Sequence, residues 1–305
     1  MKIFVAALTT LSLASTVSAA PTPYGRLNLS LQYTDDADLD GGSELKNNFS
    51  RLGLRGTQAL EGAPFEVVYQ VEFEVQADDG DKGGRTLTER NTFLGVKGDF
   101  GTLRAGKFDS PLKVSQNRID LFNDLDPDMN NSITDNDQRP SNITAYTSPK
   151  LGAFTLELAA ISAEDDAAKD GVSSAVRFEQ NGLYIAAAFD KNVAAQNRDA
   201  GRIVVQYTFA SWQIGGLLER EDTEGEDAVD GWLLSGQYAL SKWRFKAQTG
   251  RSDIIAEDTE SYALGVDYVF SQQFKTFSFV SNSQYDEGAG EQSNGYFAVG
   301  AEYRF

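Results

Sequence analysis

Charged residues of opposite sign form two groups in the first half of the chain. The basic group is Arg26, Arg51, Arg55, Arg90, Arg104 and Lys107. The acidic group is Asp120, Asp124, Asp126 and Asp128. If the fold places the two groups across a narrow aqueous gap, they create a transverse field that orients dipolar solutes and discriminates between ions. Arginine suits such a wall because its charge cannot be titrated away. The alternative for any single arginine is that it only forms a local ion pair with Glu72 or Glu74 and does not contribute to this field.

Catalytic chemistry has little support, because the chain contains neither histidine nor cysteine. The commonest general base, the commonest imidazole metal ligand and any thiolate nucleophile are therefore missing. Acidic and amide oxygens alternate in Asp124–Asn130 like the start of a calcium loop. In the twelve-residue calcium-binding loop, Gly occupies position six and Glu position twelve, whereas this chain has Met129 and Asp135 there. No cofactor is predicted, and calcium held loosely by the acidic loops is the alternative.

The first residues predict export. Met1-Lys2 is a positive start, Ile3–Leu13 an apolar run, and Val17-Ser18-Ala19 a small-residue cleavage site, as in a secretory signal peptide. Cleavage after Ala19 divides the chain into a signal peptide, residues 1–19, and one mature domain, residues 20–305. Removing Lys2 leaves 26 basic against 45 acidic residues, a net charge of −19. Such an acidic domain lacks the basic face that a nucleic-acid partner needs.

The mature sequence alternates apolar and polar residues with the period of a strand. In the stretch 25–33, Leu27, Leu29 and Leu31 alternate with Asn28 and Ser30. We count sixteen such strands, joined alternately by tight turns, such as Asn181-Gly182, and by long acidic loops, such as 34–48. A β-sandwich or β-helix does not require this alternation. The pattern predicts an all-β, sixteen-stranded antiparallel transmembrane β-barrel whose lumen admits water.

Aromatic residues accumulate on the predicted outer face beside the turns. An amphipathic ring suits the headgroup boundary of a membrane, although strands favour aromatics in any case. The set is Tyr33, Tyr69, Phe73, Tyr207, Phe209, Trp212, Tyr238, Trp243, Tyr268, Phe270, Tyr303 and Phe305.

One break in the strand pattern is much longer than the others: it runs from Asp109 to Ser141. Loops longer than about 15 residues in a compact domain usually have a function or are disordered. We expect this third long loop to fold into the lumen and narrow it, with its aspartates opposite the arginines.

Several short stretches resemble the sixteen-stranded general diffusion porins of Gram-negative bacteria. They are Tyr24-Gly25-Arg26-Leu27, residues 50–56, Gly95–Leu103 with Gly106-Lys107-Phe108, Tyr146-Thr147-Ser148-Pro149, and Gly300–Phe305. The resemblance covers essentially the whole mature chain. It implies an outer-membrane homotrimer in contact with lipid and lipopolysaccharide, an inward third loop, and the terminal Phe305 as an assembly signal. The family often has a basic residue where this chain has Ala145, which leaves the preferred ion open.

The predicted function is passive diffusion of ions and small hydrophilic solutes through the outer membrane, without enzymatic activity. A substrate-selective channel and a non-conducting structural or adhesive barrel are the alternatives. A further alternative, an enzyme, would have to work without histidine.

Overall fold

In the computed structural model, the described residues are 20–36, 39–78, 84–164, 168–286 and 291–305, and the predicted signal peptide lies outside them. Eighteen β segments form one antiparallel sheet. They are β1 Thr22–Asp36, β2 Leu39–Asn47, β3 Arg51–Ala59, β4 Phe65–Val75, β5 Leu87–Glu89, β6 Thr92–Gly98, β7 Gly101–Lys107, β8 Ile143–Thr147, β9 Phe154–Ile161, β10 Gly171–Gln180, β11 Leu183–Lys191, β12 Arg198–Phe209, β13 Trp212–Thr223, β14 Val229–Leu240, β15 Trp243–Ser252, β16 Thr259–Val269, β17 Phe274–Asp286 and β18 Glu291–Arg304.

These segments make sixteen barrel strands, which confirms the prediction. Segments β2 and β3 pair end to end with the same strand, β1. Likewise β5 and β6 both pair with β4. The first strand also pairs with β18, so the sheet closes on itself. At this closure the ring of Phe305 packs over Gly25, where a Cβ atom would lie 2.3 Å from the ring.

The two interruptions are β-bulges. Leu29 lies opposite Asn47 and Arg26 opposite Arg51, so three residues on the β2–β3 strand face two on β1. Phe49 lies within this bulge and has a φ of 53°, a left-handed conformation that bulky residues rarely adopt. The β5–β6 strand has the same extra residue, at 90–92. Bulges of this kind redirect side chains.

The first hairpin is longer than the sequence predicts. The stretch 34–48 is rich in Asp, Gly and Ser and was expected to be a loop. Strand β1 instead continues to Asp36, and β2 begins at Leu39. Pairing with β1 overrides the weak strand propensity of these residues, as sheet context commonly does.

The outer face is apolar and exposed, whereas the inner face is polar. Leu31, Leu94 and Leu218 are each more than 60% exposed. Large exposed apolar surfaces mark contact with a membrane or a partner, and a barrel in a membrane has this outward band. Near the short turns the outer aromatics contact one another: the rings of Trp212 and Tyr238 are 4.6 Å apart, and those of Trp243 and Tyr268 are 4.7 Å apart.

Helical structure in the described residues is confined to the segment 109–141. It consists of α1, Pro111–Ser115, and one 3-10 turn, Met129–Asn131. No helix in the described ranges is long and apolar enough to cross a membrane. We call the end of the barrel that carries the chain termini and short turns the turn end, and the opposite end the loop end. In membrane barrels the short turns are periplasmic.

Candidate functional site

One side of the segment 109–141 is packed against the inner faces of β10–β18, which we call the anchoring wall. Ile119, Met129 and Ile133 are fully buried in a cluster with strand residues that include Val204 and Leu217. Further along, the ring of Phe122 packs on Phe279, with centroids 6.2 Å apart. Apolar residues on this part of the inner face therefore bind the segment, although the sequence predicts inner faces that contact water.

Two lumen-facing glycines make room for these side chains. A Cβ atom at Gly250 would lie 2.4 Å from Cδ1 of Ile133. At Gly265 it would lie 2.7 Å from the ring of Phe122. Both distances are shorter than any carbon contact allows, so the segment sits directly on strand backbone at these points.

Buried ion pairs complete the attachment. The guanidinium of Arg202 is fully buried and lies 2.6 Å from Oδ1 of Asp137 and 2.5 Å from Oε2 of Glu219. Asn136 donates from Nδ2 to Glu219 and to Glu221. Removing one partner of such a network leaves buried charge uncompensated, which costs far more than an exposed pair contributes. Arg202 was not identified from the sequence. Its place at an inward position of an alternating strand is the signal that could have identified it.

The other side of the segment meets the inner faces of β1–β6, which we call the facing wall. Oδ2 of Asp124 lies 2.6 Å from Nη2 of Arg26 and 3.5 Å from Nη2 of Arg51. Asp126 forms a direct ion pair with Lys46, a residue that the sequence did not single out. The predicted gap between the charges is therefore bridged by direct contact at two points.

Burial alone would raise the pKa of the Asp124 carboxyl. The positive charges of Arg26, Arg51 and Arg90 outweigh burial and hold that pKa below its usual value. Asp124 is thus charged at neutral pH. Its φ of 68° is left-handed, so its backbone is held in a conformation that favours glycine or asparagine.

The remaining predicted basic residues divide into two groups. Arg55 lies with its guanidinium 4.9 Å from the ring centre of Tyr24, and Arg90 lies 3.0 Å from Glu72. Both line the cavity beside Asp124. The pairing of Arg90 with Glu72 is the local alternative that the sequence left open.

Arg104 and Lys107 lie elsewhere. The guanidinium of Arg104 stacks 4.6 Å from the ring centre of Phe108, and Lys107 lies 3.9 Å from Glu89. Aromatic faces attract the guanidinium and hold it against the strands. Ala145 lies directly across from Arg104 in the sheet and packs in the same cluster as Phe108.

Asp120 and Asp128 also differ from the prediction, because backbone N–H groups within the segment are among the donors to both carboxylates. Asp120 accepts from the N–H of Phe122 and of Met129, and Asp128 accepts from that of Asp124. Burial raises the pKa of Asp120. Burial and the negative charge of Asp120 raise the pKa of Asp128 well above its usual value. These two carboxyls organise the fold of the segment.

The calcium-like stretch offers few free oxygens. Asp124 and Asp126 are paired with basic side chains, and Asp128 accepts from main-chain N–H groups. Among the described residues, no three carboxylates gather as a metal site would require. Calcium binding by the acidic loops stays a prediction.

Two cavities lie in series along the lumen. The loop-end cavity measures about 630 Å³ and the turn-end cavity about 670 Å³. Phe49 and Asp124 line both, so the two cavities meet where the segment reaches the facing wall. A polar lumen that is narrowed at one level, inside a closed barrel with an apolar exterior, defines a membrane channel of the outer-membrane type.

The comparisons with known proteins give the family. The model of the Gram-negative porins matches residues 5–288. The chain belongs to this family, and it is therefore an outer-membrane protein. The members of the family are channels and not enzymes, which agrees with the predicted lack of catalysis.

Individual relatives are distant. Major outer membrane protein P.IB of Neisseria meningitidis serogroup B is 22% identical, with 95% of each chain aligned. The gonococcal protein of the same name is 32% identical, but the match covers 40% of this chain and only 36% of that relative. Chitoporin of Vibrio furnissii is 25% identical over 88% of this chain and 67% of its own length.

Solved structures share the fold. The anion-selective porin from Comamonas acidovorans superposes with a TM-score of 0.79 at 19% identity, covering 94% of this chain and 99% of the other. Salmonella typhi OmpF, solved with daunomycin, gives 0.72 at 16% identity, covering 93% and 97%.

Proposed function

We propose that this protein is a passive channel through which ions and small hydrophilic solutes cross the outer membrane. The observation that carries the proposal is the pair of lumen cavities that meet at Asp124, between the segment 109–141 and the facing wall. The segment sets the size limit, because it occupies lumen that sixteen strands alone would leave open. The charges around Asp124 set the ion preference.

We expect this preference to be for anions. The described residues that line the turn-end cavity include seven basic side chains and five acidic ones. The basic set is Arg26, Arg51, Arg55, Arg90, Lys113, Arg139 and Arg304. The acidic set is Glu72, Asp109, Asp124, Asp128 and Asp137. Charges at the narrowest level outweigh the acidic loops, which solvent screens beyond a Debye length of about 8 Å at physiological salt.

The assembly proposed is a homotrimer embedded in lipid and lipopolysaccharide. One structural relative, OmpT of Vibrio cholerae, is described in a trimer form. The apolar outer face supports burial against lipid, neighbouring protomers or both. Cross-linking the purified protein in detergent and counting the subunits tests the trimer.

A substrate-selective channel is the second candidate. It is favoured by the similarity to a protein named chitoporin, which extends over most of this chain. General diffusion predicts that solutes of similar size permeate at similar rates. Selectivity predicts that one class of solute blocks the current by binding.

Planar-bilayer recording tests the proposal directly. The mature protein should insert as open, ohmic channels with a reversal potential displaced toward anions in a potassium chloride gradient. A folded protein that inserts without conductance would instead be a structural or adhesive barrel.

A further inference from the structure

The loop-end cavity differs in chemistry from the turn-end cavity. Its charged lining among the described residues is Lys46, Asp124 and Asp126, and the last two are already engaged in ion pairs. Most of the surface that lines it comes from aromatic and aliphatic side chains and from amides and hydroxyls. Its volume, about 630 Å³, falls in the range typical of small-molecule sites.

Aromatic rings reach this cavity from two sides. Phe49 projects from the bulge of the facing wall and is 37% exposed. Across the lumen, Tyr285 and Tyr296 occupy inward positions of β17 and β18, as the alternation with buried Phe279 and Ala298 shows. An exposed phenylalanine that faces the water-filled interior is unusual, because burial of its ring would be favourable.

The backbone conformation at Phe49 directs its ring into the lumen. The extra residue of the bulge and the left-handed φ of 53° both act to turn the ring out of the strand pattern. Strain of this kind persists where the surrounding structure enforces it, and it clusters at ligand sites. The guanidinium of Arg90 lies 5.8 Å from the centre of the ring and supports its orientation.

Hydrogen-bonding groups lie beside the rings. The side chains of Ser261, Ser283 and Asn294 lie at inward positions of β16, β17 and β18, line the cavity and are partly exposed. Their hydroxyl and amide groups both donate and accept. A ligand rich in hydroxyls can satisfy such groups, whereas an apolar ligand would leave them unsatisfied.

We propose that the loop-end cavity binds uncharged oligosaccharides, with Phe49 as the stacking platform. This inference rests on the channel function proposed above and names a solute class for it. A pyranose ring has one C–H face that packs on an aromatic ring and hydroxyls around its edge that bond to amides and carboxylates. A neutral sugar leaves the ion pairs of Asp124 and Asp126 intact, whereas a charged solute would compete with them.

The test uses block of the channel current by a sugar. N-acetylchitohexaose and maltohexaose, added on the loop-end side of inserted wild-type channels, should interrupt the current in resolvable events. Phe49→Ala should weaken the block by roughly tenfold, which corresponds to about 1.4 kcal/mol. Phe49→Trp should retain it. Leu45→Ala, on the outward face of β2, is the matched control and should behave as wild type.

Two results would overturn the inference while leaving the channel function intact: open channels that neither sugar blocks, and equal block in wild type and Phe49→Ala. If the protein does not conduct, the channel function fails. Isothermal titration calorimetry of the same sugars with the folded protein in detergent then tests sugar binding independently of conductance. Heat of binding that is lost in Phe49→Ala and kept in Phe49→Trp supports it, and absence of binding overturns it.

Discussion

The two walls of the lumen hold the same segment in opposite ways. Against the anchoring wall, the segment is dry: Ile133 and Phe122 rest on glycines, and Arg202 is fully buried with its two carboxylates. Against the facing wall, the contacts described above are the ion pairs of Asp124 and Asp126, with cavities on both sides. The contrast separates stability from permeation: one wall fixes the position of the segment, and the other sets what passes beside it.

Removing a charge should therefore have different effects on the two walls. A charge removed from the anchoring wall should lower stability and widen the lumen without a specific change of ion preference. A charge removed from a partly exposed position of the facing wall, such as Arg51, should change ion preference at a smaller cost in stability. The four predictions that follow run from the largest expected effect to the smallest.

Arg202→Met should have the largest effect. It leaves Asp137 and Glu219 buried without a counter-charge, which costs about 3–5 kcal/mol when one partner of a buried pair is removed. The free energy of unfolding in urea should fall by this amount, and single-channel conductance should rise as the segment detaches. Arg220→Met is the control, because the pair Arg220 and Asp230 is exposed and contributes little. Equal stability of the two variants would contradict the anchoring role.

Gly250→Val should have the second-largest effect. The new side chain cannot occupy the space of Ile133, and overpacking of this kind costs about 1–3 kcal/mol. We expect larger conductance and faster proteolysis within the segment. Gly236→Val is matched to it, since a Cβ atom at Gly236 meets no other atom within 4 Å. Equal effects of the two valines on conductance would contradict the role of Gly250 in seating Ile133.

A rise in pH should loosen the segment. A carboxyl whose pKa is raised in the folded state stabilises that state below its ordinary pKa, and this contribution is lost as pH rises through the raised value. Burial and Asp120 raise the pKa of Asp128 in this way. Current fluctuations should therefore increase from acid to alkaline pH in wild type and much less in Asp128→Asn. Identical pH profiles for these two proteins would show that Asp128 does not govern the segment.

Arg104→Gln should have the smallest effect on ion preference. Its guanidinium lies over the rings of Phe93 and Phe108, away from the level of Asp124. The reversal potential in a salt gradient should move less than for Arg51→Gln. A larger shift for Arg104→Gln would place the selective level on β7 instead of beside the segment.

Alternation and loop length were enough to predict sixteen strands, the outward apolar band and the position of the long segment. These features depend on a period of two residues, which one sequence displays. The bulges at Phe49 and Arg90 could not be located, because an added residue interrupts the pattern without showing which side chain it redirects.

The candidate site was predictable only in part. Opposite charge singled out Arg26, Arg51 and Asp124, which the structure brings together. The same reasoning placed Asp120 and Asp128 across from the arginines, whereas short-range main-chain N–H groups bind them within the segment. The partners of Arg202 lie 65 and 17 residues away from it in sequence, and no local pattern reports such contacts.

The reversal potential in a potassium chloride gradient, measured for Arg51→Gln and Asp124→Asn, tests the central claim most directly. Both charges lie at the level where the two cavities meet, so we expect shifts of opposite sign: toward cations for Arg51→Gln and toward anions for Asp124→Asn. Arg220→Gln, in the exposed pair on the outer face, should leave the potential unchanged. Shifts in the same direction, or no shift in either variant, would contradict the claim that ions pass between the segment and the facing wall.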